Sequence, residues 1–101
     1  TAAAVQADGV RRHCPQREGE IAPAMARRVA RVLAVAAHHG HDSLVLGAWG
    51  CGAFGNDPAT VAGLFKEALD TRNRGAFAAV TFAVADWSSD ERFIGPFGRA
   101  F

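Results

Sequence analysis

The sequence predicts an α/β fold built around one strand–helix–strand unit. Two apolar runs, Leu44–Leu46 and the Val-, Phe- and Ala-rich stretch 77–85, are typical of strands buried on both faces of a parallel sheet. Between them, residues 58–71 carry apolar side chains at helical spacing, and a loop with four glycines in nine positions precedes that helix. A crossover of this kind joins parallel strands and is right-handed in nearly every sheet.

The glycine-rich loop has the features of an anion-binding site. It ends at Asp57 and Pro58, which are favoured as N-cap and first residue of a helix. Main-chain N–H groups of such a loop and the positive end of the helix converge on one point. We therefore predict that a phosphate or diphosphate is held by main-chain donors of Gly50, Cys51, Gly52, Ala53 and Gly55. A loop kept tight for packing alone is the alternative.

The same residues match a dinucleotide motif only in part. The run Gly50–Gly55 fits the G-x-G-x-x-G pattern. In a Rossmann fold the third glycine packs inside the opening turns of the helix, whereas here Pro58 places the helix start after Gly55. No Gly-Lys-Ser/Thr follows, which excludes a Walker A loop. An NAD-binding Rossmann fragment therefore stays as a less favoured alternative.

The segment Gly47–Pro58 resembles the second phosphate loop of microbial-type poly(ADP-ribose) glycohydrolases, which are macrodomain proteins. The stretches His38–Asp42 and Ile94–Phe97 extend the resemblance over most of residues 1–101. The resemblance implies a macrodomain-like three-layer α/β/α fold. It also implies that the chain is the C-terminal part of a single such domain, with ADP-ribose or poly(ADP-ribose) as its ligand.

Two aromatic residues are candidates for ligand contacts. Phe54 lies inside the glycine loop, where an aromatic ring has little core to fill. The resemblance implies that it contacts the terminal ribose of ADP-ribose, with Trp49 as loop support; folding inward as a hydrophobic anchor is the alternative. Trp87 follows the second strand and is a candidate for adenine stacking, although packing under the last segment is favoured. Cys51 is interpreted as a small buried side chain rather than a catalytic thiol.

The catalytic signature of the resembling family is absent from this sequence. That signature is a Gly-Gly-Gly run followed by Gln-Glu-Glu, and neither part occurs here. Glycosidic cleavage needs a positioned carboxyl acid, and Glu18 and Glu20 lie far in sequence from any glycine run. We therefore expect no catalytic residue, metal or cofactor in this chain. It is predicted to be the ADP-ribose-binding part of a poly(ADP-ribose) glycohydrolase, inactive alone; a non-catalytic ADP-ribose-binding module is the alternative.

The remaining segments give weaker predictions. Residues 1–20 show no clear period and are predicted to form a loop, whereas 20–39 carry the strongest helical pattern. Residues 86–101 are expected to form a turn and a short helical piece broken by Gly95-Pro96. Because two central strands need neighbours on both sides, we expect the N-terminal part of the domain, or a second copy of the chain, to complete the sheet.

Composition excludes several classes of function. No apolar run approaches the ~20 residues needed to span a membrane. The net charge of +1 gives no support for direct DNA binding. The two cysteines, Cys14 and Cys51, do not make a disulfide framework, which indicates a reducing, cytoplasmic setting.

Overall fold

The computed structural model describes residues 1–101 and has a helix-rich architecture around a two-stranded parallel sheet. The elements in chain order are α1 (Ala7–His13), a 3₁₀ segment (Pro15–Glu20), α2 (Ile21–His38), β1 (Ser43–Leu46), α3 (Pro58–Asp70), β2 (Ala79–Phe82) and α4 (Ile94–Ala100). Ser43 pairs with Ala79, and Leu46 pairs with Phe82. The predicted parallel β–α–β unit is therefore confirmed.

The helices cover one face of the sheet. Leu44, Leu46 and Phe82 pack against the core, whereas Val45 on the opposite face is 76% exposed. The prediction that the strands are buried on both faces is thus met on one face only, since Val45 on the other face stays exposed. The core residues are Ala4, Val5, Met25, Val29, Leu33, Cys51, Val61, Ala62, Phe65 and Phe97.

The two long helices begin and end within one or two residues of the predicted positions. α2 buries Met25, Val29 and Leu33 along one stripe, as its period indicated. α3 starts where the sequence predicted, because the Asp57 carboxylate accepts a hydrogen bond from the Thr60 amide at 2.9 Å. Pro58 occupies the first helical position, where no backbone donor is needed. No helix in the structure is both long and apolar enough to cross a bilayer.

The prediction of a loop over residues 1–20 is wrong. α1 and the 3₁₀ segment occupy residues 7–13 and 15–20. The Gln6 side chain caps α1 by accepting from the Gly9 amide at 3.1 Å, and Arg11 and Arg12 complement the helix dipole in the last turn. Ala7 is fully buried. A helix of seven residues is too short to show an apolar period, so its formation depends on these caps and on tertiary contacts.

The prediction that Gly95-Pro96 breaks the last helix is also wrong. Both residues lie in the first turn of α4, where a proline interrupts no intrahelical hydrogen bond. Phe97 is buried and its ring centroid lies 5.2 Å from that of Phe82. This contact joins α4 to the covered face of the sheet.

Candidate functional site

The glycine-rich loop, residues 47–57, lies at the carboxyl end of the sheet. It follows β1 directly, and the segment after β2 runs beside its start, because the Ala83 amide donates to Leu46 O at 2.8 Å. In parallel α/β sheets this end of the strands is where ligands bind. The loop and the segment 83–88 therefore share one rim.

Internal hydrogen bonds give the loop a defined shape. Besides a local bond from Trp49 N–H to Gly47 O, three main-chain bonds close it: Cys51 N–H to Ala48 O at 3.1 Å, Gly55 N–H to Gly52 O at 3.0 Å, and Asn56 N–H to Gly50 O at 3.0 Å. The second bond makes a tight turn with Ala53 and Phe54 at its centre.

Several loop amides, including a run in the glycine-rich turn, remain free to bind a ligand. The N–H groups of Gly50, Gly52, Ala53 and Phe54 donate to no acceptor within the chain, and the last three are consecutive and exposed. Successive free amides of this kind form an anion-binding concavity. Of the five residues predicted to hold a diphosphate, Gly50, Gly52 and Ala53 offer their amides, whereas those of Cys51 and Gly55 already close the loop.

The loop glycines serve two different purposes. Gly50 has φ +75°, and a Cβ there would lie 2.5 Å from the Ala4 side chain. Gly55 has φ +72°, and a Cβ would overlap the Asp8 carboxylate. Both positions thus require glycine for folding. Gly52 has an ordinary φ, and a Cβ there would meet open space, so the fold itself leaves room for a side chain.

Asn56 joins the loop to the N-terminal segment. It is the one buried polar residue, 4% exposed, and its Nδ2 donates to Val5 O at 2.7 Å and to Gly50 O at 2.9 Å. These bonds hold the loop against the core. Sequence reasoning treated Asn56 only as a turn residue, because its partner Val5 is 51 positions away.

Helix α1 contacts the loop at the two residues before Asn56. The Asp8 amide donates to Phe54 O at 3.0 Å, and Arg11 Nη1 donates to Gly55 O at 2.8 Å. The sequence has no Lys or Arg between residues 43 and 65, so no local signal pointed to a basic side chain here. Only the fold brings Arg11 to the loop.

The aromatic residues differ in exposure. Phe54 is 38% exposed and lies outside the core cluster, so it is not the inward anchor that was the alternative. Trp49 packs against the core, with its ring 6.5 Å from that of Phe65, as expected of a support. Trp87 is 93% exposed, so the favoured prediction that it packs under the last segment is wrong. Trp87 lies in the turn held by Asp86, which is described below.

Solved structures of poly(ADP-ribose) glycohydrolases share this fold and sequence. The Deinococcus radiodurans enzyme, crystallised in complex with ADP-ribose, is 45% identical with a TM-score of 0.96 over 99% of this chain. The chain matches one part of a microbial poly(ADP-ribose) glycohydrolase. The Thermomonospora curvata enzyme is 42% identical with a TM-score of 0.86 over 97% of the chain. The resemblance found in the sequence and its macrodomain-like fold are confirmed.

The chain spans 40% of the Deinococcus radiodurans glycohydrolase and 36% of the Thermomonospora curvata one. No protein family model matches the sequence, and no curated protein matches it either.

Glu18 and Glu20, the two acidic residues weighed as candidate catalytic acids, form ion pairs. Glu18 lies 3.2 Å from Arg11 Nε, and Glu20 lies 2.9 Å from Arg17 Nε. The hydrogen bond from Arg17 lowers the pKa of the Glu20 carboxyl. A general acid for glycoside cleavage needs the opposite, a raised pKa. No three His, Cys, Asp or Glu side chains lie together as a metal site.

Cys51 is the small buried side chain that the sequence indicated. It is 5% exposed, and burial, together with the charge of Asp57, raises the pKa of its thiol to about 11. The thiol therefore stays protonated at neutral pH, which is the reverse of what a nucleophilic cysteine requires. Its Sγ lies 3.7 Å from Trp49 O.

Asp86 organises the turn that carries Trp87. One carboxylate oxygen accepts from the amide and hydroxyl of Ser88, and the other accepts from the amides of Phe93 and Ile94, both at 2.9 Å. The Ser88 hydroxyl, followed by the amides of Ile94, Ser88 and Phe93, holds the pKa of this carboxyl well below its ordinary value of 3.8. The ionised Asp86 carboxylate thus holds the segment after β2, which forms the rim together with the glycine-rich loop.

This network predicts a pH-dependent stability. Because the folded-state pKa of Asp86 is depressed, its contribution is present above the ordinary carboxyl pKa and is lost as the pH falls towards the folded value. We expect Asp86→Asn to lower the melting temperature at pH 7 and to flatten its decline below about pH 4. Circular dichroism melts across this range measure both effects. Asp90→Asn, an exposed aspartate with no side-chain hydrogen bond, is the matched control; an equal flattening there would refute the assignment.

Proposed function

We propose that this chain is the ADP-ribose-binding part of a poly(ADP-ribose) glycohydrolase, which hydrolyses ribose–ribose bonds and releases ADP-ribose. The observation that carries the proposal is the row of free amides at Gly52, Ala53 and Phe54. They lie at the carboxyl end of a parallel strand, in a chain 45% identical to a glycohydrolase crystallised with ADP-ribose.

The diphosphate of ADP-ribose suits this loop chemically. Its oxygens accept hydrogen bonds from main-chain N–H groups, and the positive end of α3 lies immediately after the loop. Amides fixed by the closed turn need no reorganisation when the anion arrives, so binding requires no basic side chain at the phosphates.

The two exposed aromatic rings extend this site at its ends. Phe54, on the turn that carries the amides, would contact the terminal ribose through its apolar face. Trp87, on the neighbouring part of the rim, would stack on adenine, since its indole is almost fully exposed. The ribose contact of Phe54 and the adenine stacking of Trp87 are both proposed on the basis that the diphosphate lies between the two rings.

The residues that cleave the bond belong to another part of the glycohydrolase domain in this proposal. Glu18 and Glu20 are paired with arginines, and the Gly-Gly-Gly and Gln-Glu-Glu signature does not occur in the sequence. This chain would therefore supply the diphosphate-binding loop and the ribose-facing aromatic ring, while the cleaving residues lie elsewhere. Two unpaired cysteines favour a reducing, cytoplasmic setting for the protein.

The partner proposed for this chain is the rest of the domain, with a second copy as the alternative. Both outer edges of the two-stranded sheet are unpaired, and Val45 leaves the open face apolar. Beside β1, a groove of about 390 Å³ is lined mainly by apolar residues that include Ala2, Leu46 and Trp49. Additional strands from the partner would satisfy these edges and cover the face.

An NMR titration of the ¹⁵N-labelled chain with ADP-ribose tests the binding role. We expect the largest amide shifts at Gly52, Ala53 and Phe54 and a shift of the Trp87 indole N–H. Ribose 5-phosphate and NAD serve as comparison ligands. Tighter binding of NAD would favour the Rossmann alternative. Absence of loop shifts at saturating ADP-ribose would refute the proposal.

A further inference from the structure

Two consecutive carbonyls of the loop face helix α1. Phe54 O accepts from the Asp8 amide at 3.0 Å, and Gly55 O accepts from Arg11 Nη1 at 2.8 Å. Because a peptide unit is planar and trans, fixing each carbonyl also fixes the N–H on its opposite side. These N–H groups, of Gly55 and Asn56, make the two bonds that close the turn around the free amides.

Arg11 is itself held in place by two acidic side chains. Its Nε lies 3.2 Å from the Glu18 carboxylate, and its Nη1 lies 3.4 Å from Asp8 Oδ1. A guanidinium presents five donors in a rigid planar fork and can reach three separated partners at once, whereas the three donors of an ammonium all lie on one nitrogen. One side chain thereby joins α1, the 3₁₀ segment and the loop.

Gly55 permits this close approach. Its φ of +72° directs the Cβ position onto the Asp8 carboxylate, so only glycine lets α1 contact the loop backbone here. The contact between α1 and the loop therefore needs both the Asp8 and Arg11 groups of the helix and the glycine at position 55.

We propose that Arg11 is a positioning residue of the ADP-ribose site, which it serves through the loop. By holding the Gly55 carbonyl towards α1, it keeps the turn closed and the amides of Gly52, Ala53 and Phe54 directed at one point. This inference rests on the proposed binding function.

The test compares Arg11→Ala and Arg11→Lys with Arg74→Ala, an exposed arginine without a side-chain hydrogen bond. We expect Arg11→Ala to weaken ADP-ribose binding about tenfold, as loss of a charge-assisted hydrogen bond implies. Arg11→Lys should recover part of this affinity, because an ammonium can reach one of the three partners. Arg74→Ala should bind like the native chain.

Amide hydrogen exchange supplies a readout that does not depend on the ligand. In Arg11→Ala, exchange at Gly55 and Asn56 should accelerate, whereas exchange at Val61 and Phe65 in α3 should not change. Unaltered exchange at Gly55 and Asn56 would overturn the proposal. The proposal would also be overturned if, in both Arg11 variants, α3 lost as much protection as Gly55 and Asn56, because the effect would then be general unfolding. If the native chain fails to bind ADP-ribose, the proposed function fails, and the exchange measurement still decides whether Arg11 holds the loop.

Discussion

Replacing Gly52 by valine is expected to abolish ADP-ribose binding while the fold is retained. Gly52 has an ordinary backbone conformation, and a Cβ there meets no protein atom within 4 Å. The added isopropyl group would therefore fill the space in front of the free amides, where the diphosphate must approach. We expect affinity to fall by at least ~100-fold, or ~2.8 kcal/mol.

The measurement is the ADP-ribose titration by NMR, followed by urea unfolding of the same samples. Gly63→Ala is the control, because Gly63 also has open space around its Cβ position but lies in α3. It should bind normally and gain ~0.5–1 kcal/mol of stability, since alanine is the better helix former. Native affinity in Gly52→Val would exclude the loop as the diphosphate site.

Gly50→Ala should behave differently from Gly52→Val. Its side chain would clash with Ala4 and require a strained positive φ, so stability should fall together with binding. The pair of variants separates glycines required by the fold from the one required by the ligand. Sequence patterns cannot make this distinction, because both kinds of glycine occupy the same motif.

The parts of the fold that the sequence predicted correctly are those determined locally. α2 and α3 have long apolar stripes, and α3 has the Asp57-Pro58 start, so their positions follow from period and capping alone. The parallel pairing of β1 and β2 could be predicted because a helical crossover between two apolar runs favours it.

The parts that sequence reasoning missed depend on contacts between distant residues. α1 is a short helix, and Arg11 reaches a carbonyl 44 positions away. Which loop amides are free depends on the turns that Gly55 and Asn56 close, and composition does not specify these turns. The turn that carries Trp87 likewise depends on hydrogen bonds to Asp86 from residues up to eight positions away.

The chain alone is expected to release no ADP-ribose from poly(ADP-ribose). It offers main-chain donors and aromatic rings for binding, but its two candidate acids form ion pairs with Arg11 and Arg17. Without a positioned acid or base, the rate falls by a factor of ~10²–10⁴. The unpaired edges of the sheet should lower the rate of hydrolysis further, because without neighbouring strands the site is incompletely enclosed.

Adding the remaining part of the Deinococcus radiodurans glycohydrolase as a separate polypeptide should restore hydrolysis. The added part would supply the catalytic acids and pair with the open edges of β1 and β2. Release of ADP-ribose from labelled polymer is followed for each part alone and for the mixture, and the mixture containing Gly52→Val should remain inactive. Release by the lone chain would mean that Glu18 or Glu20 is catalytic after all. A mixture that forms a complex and binds ADP-ribose without cleaving polymer would favour the non-catalytic module, because the ligand site would then be complete and only the chemistry absent.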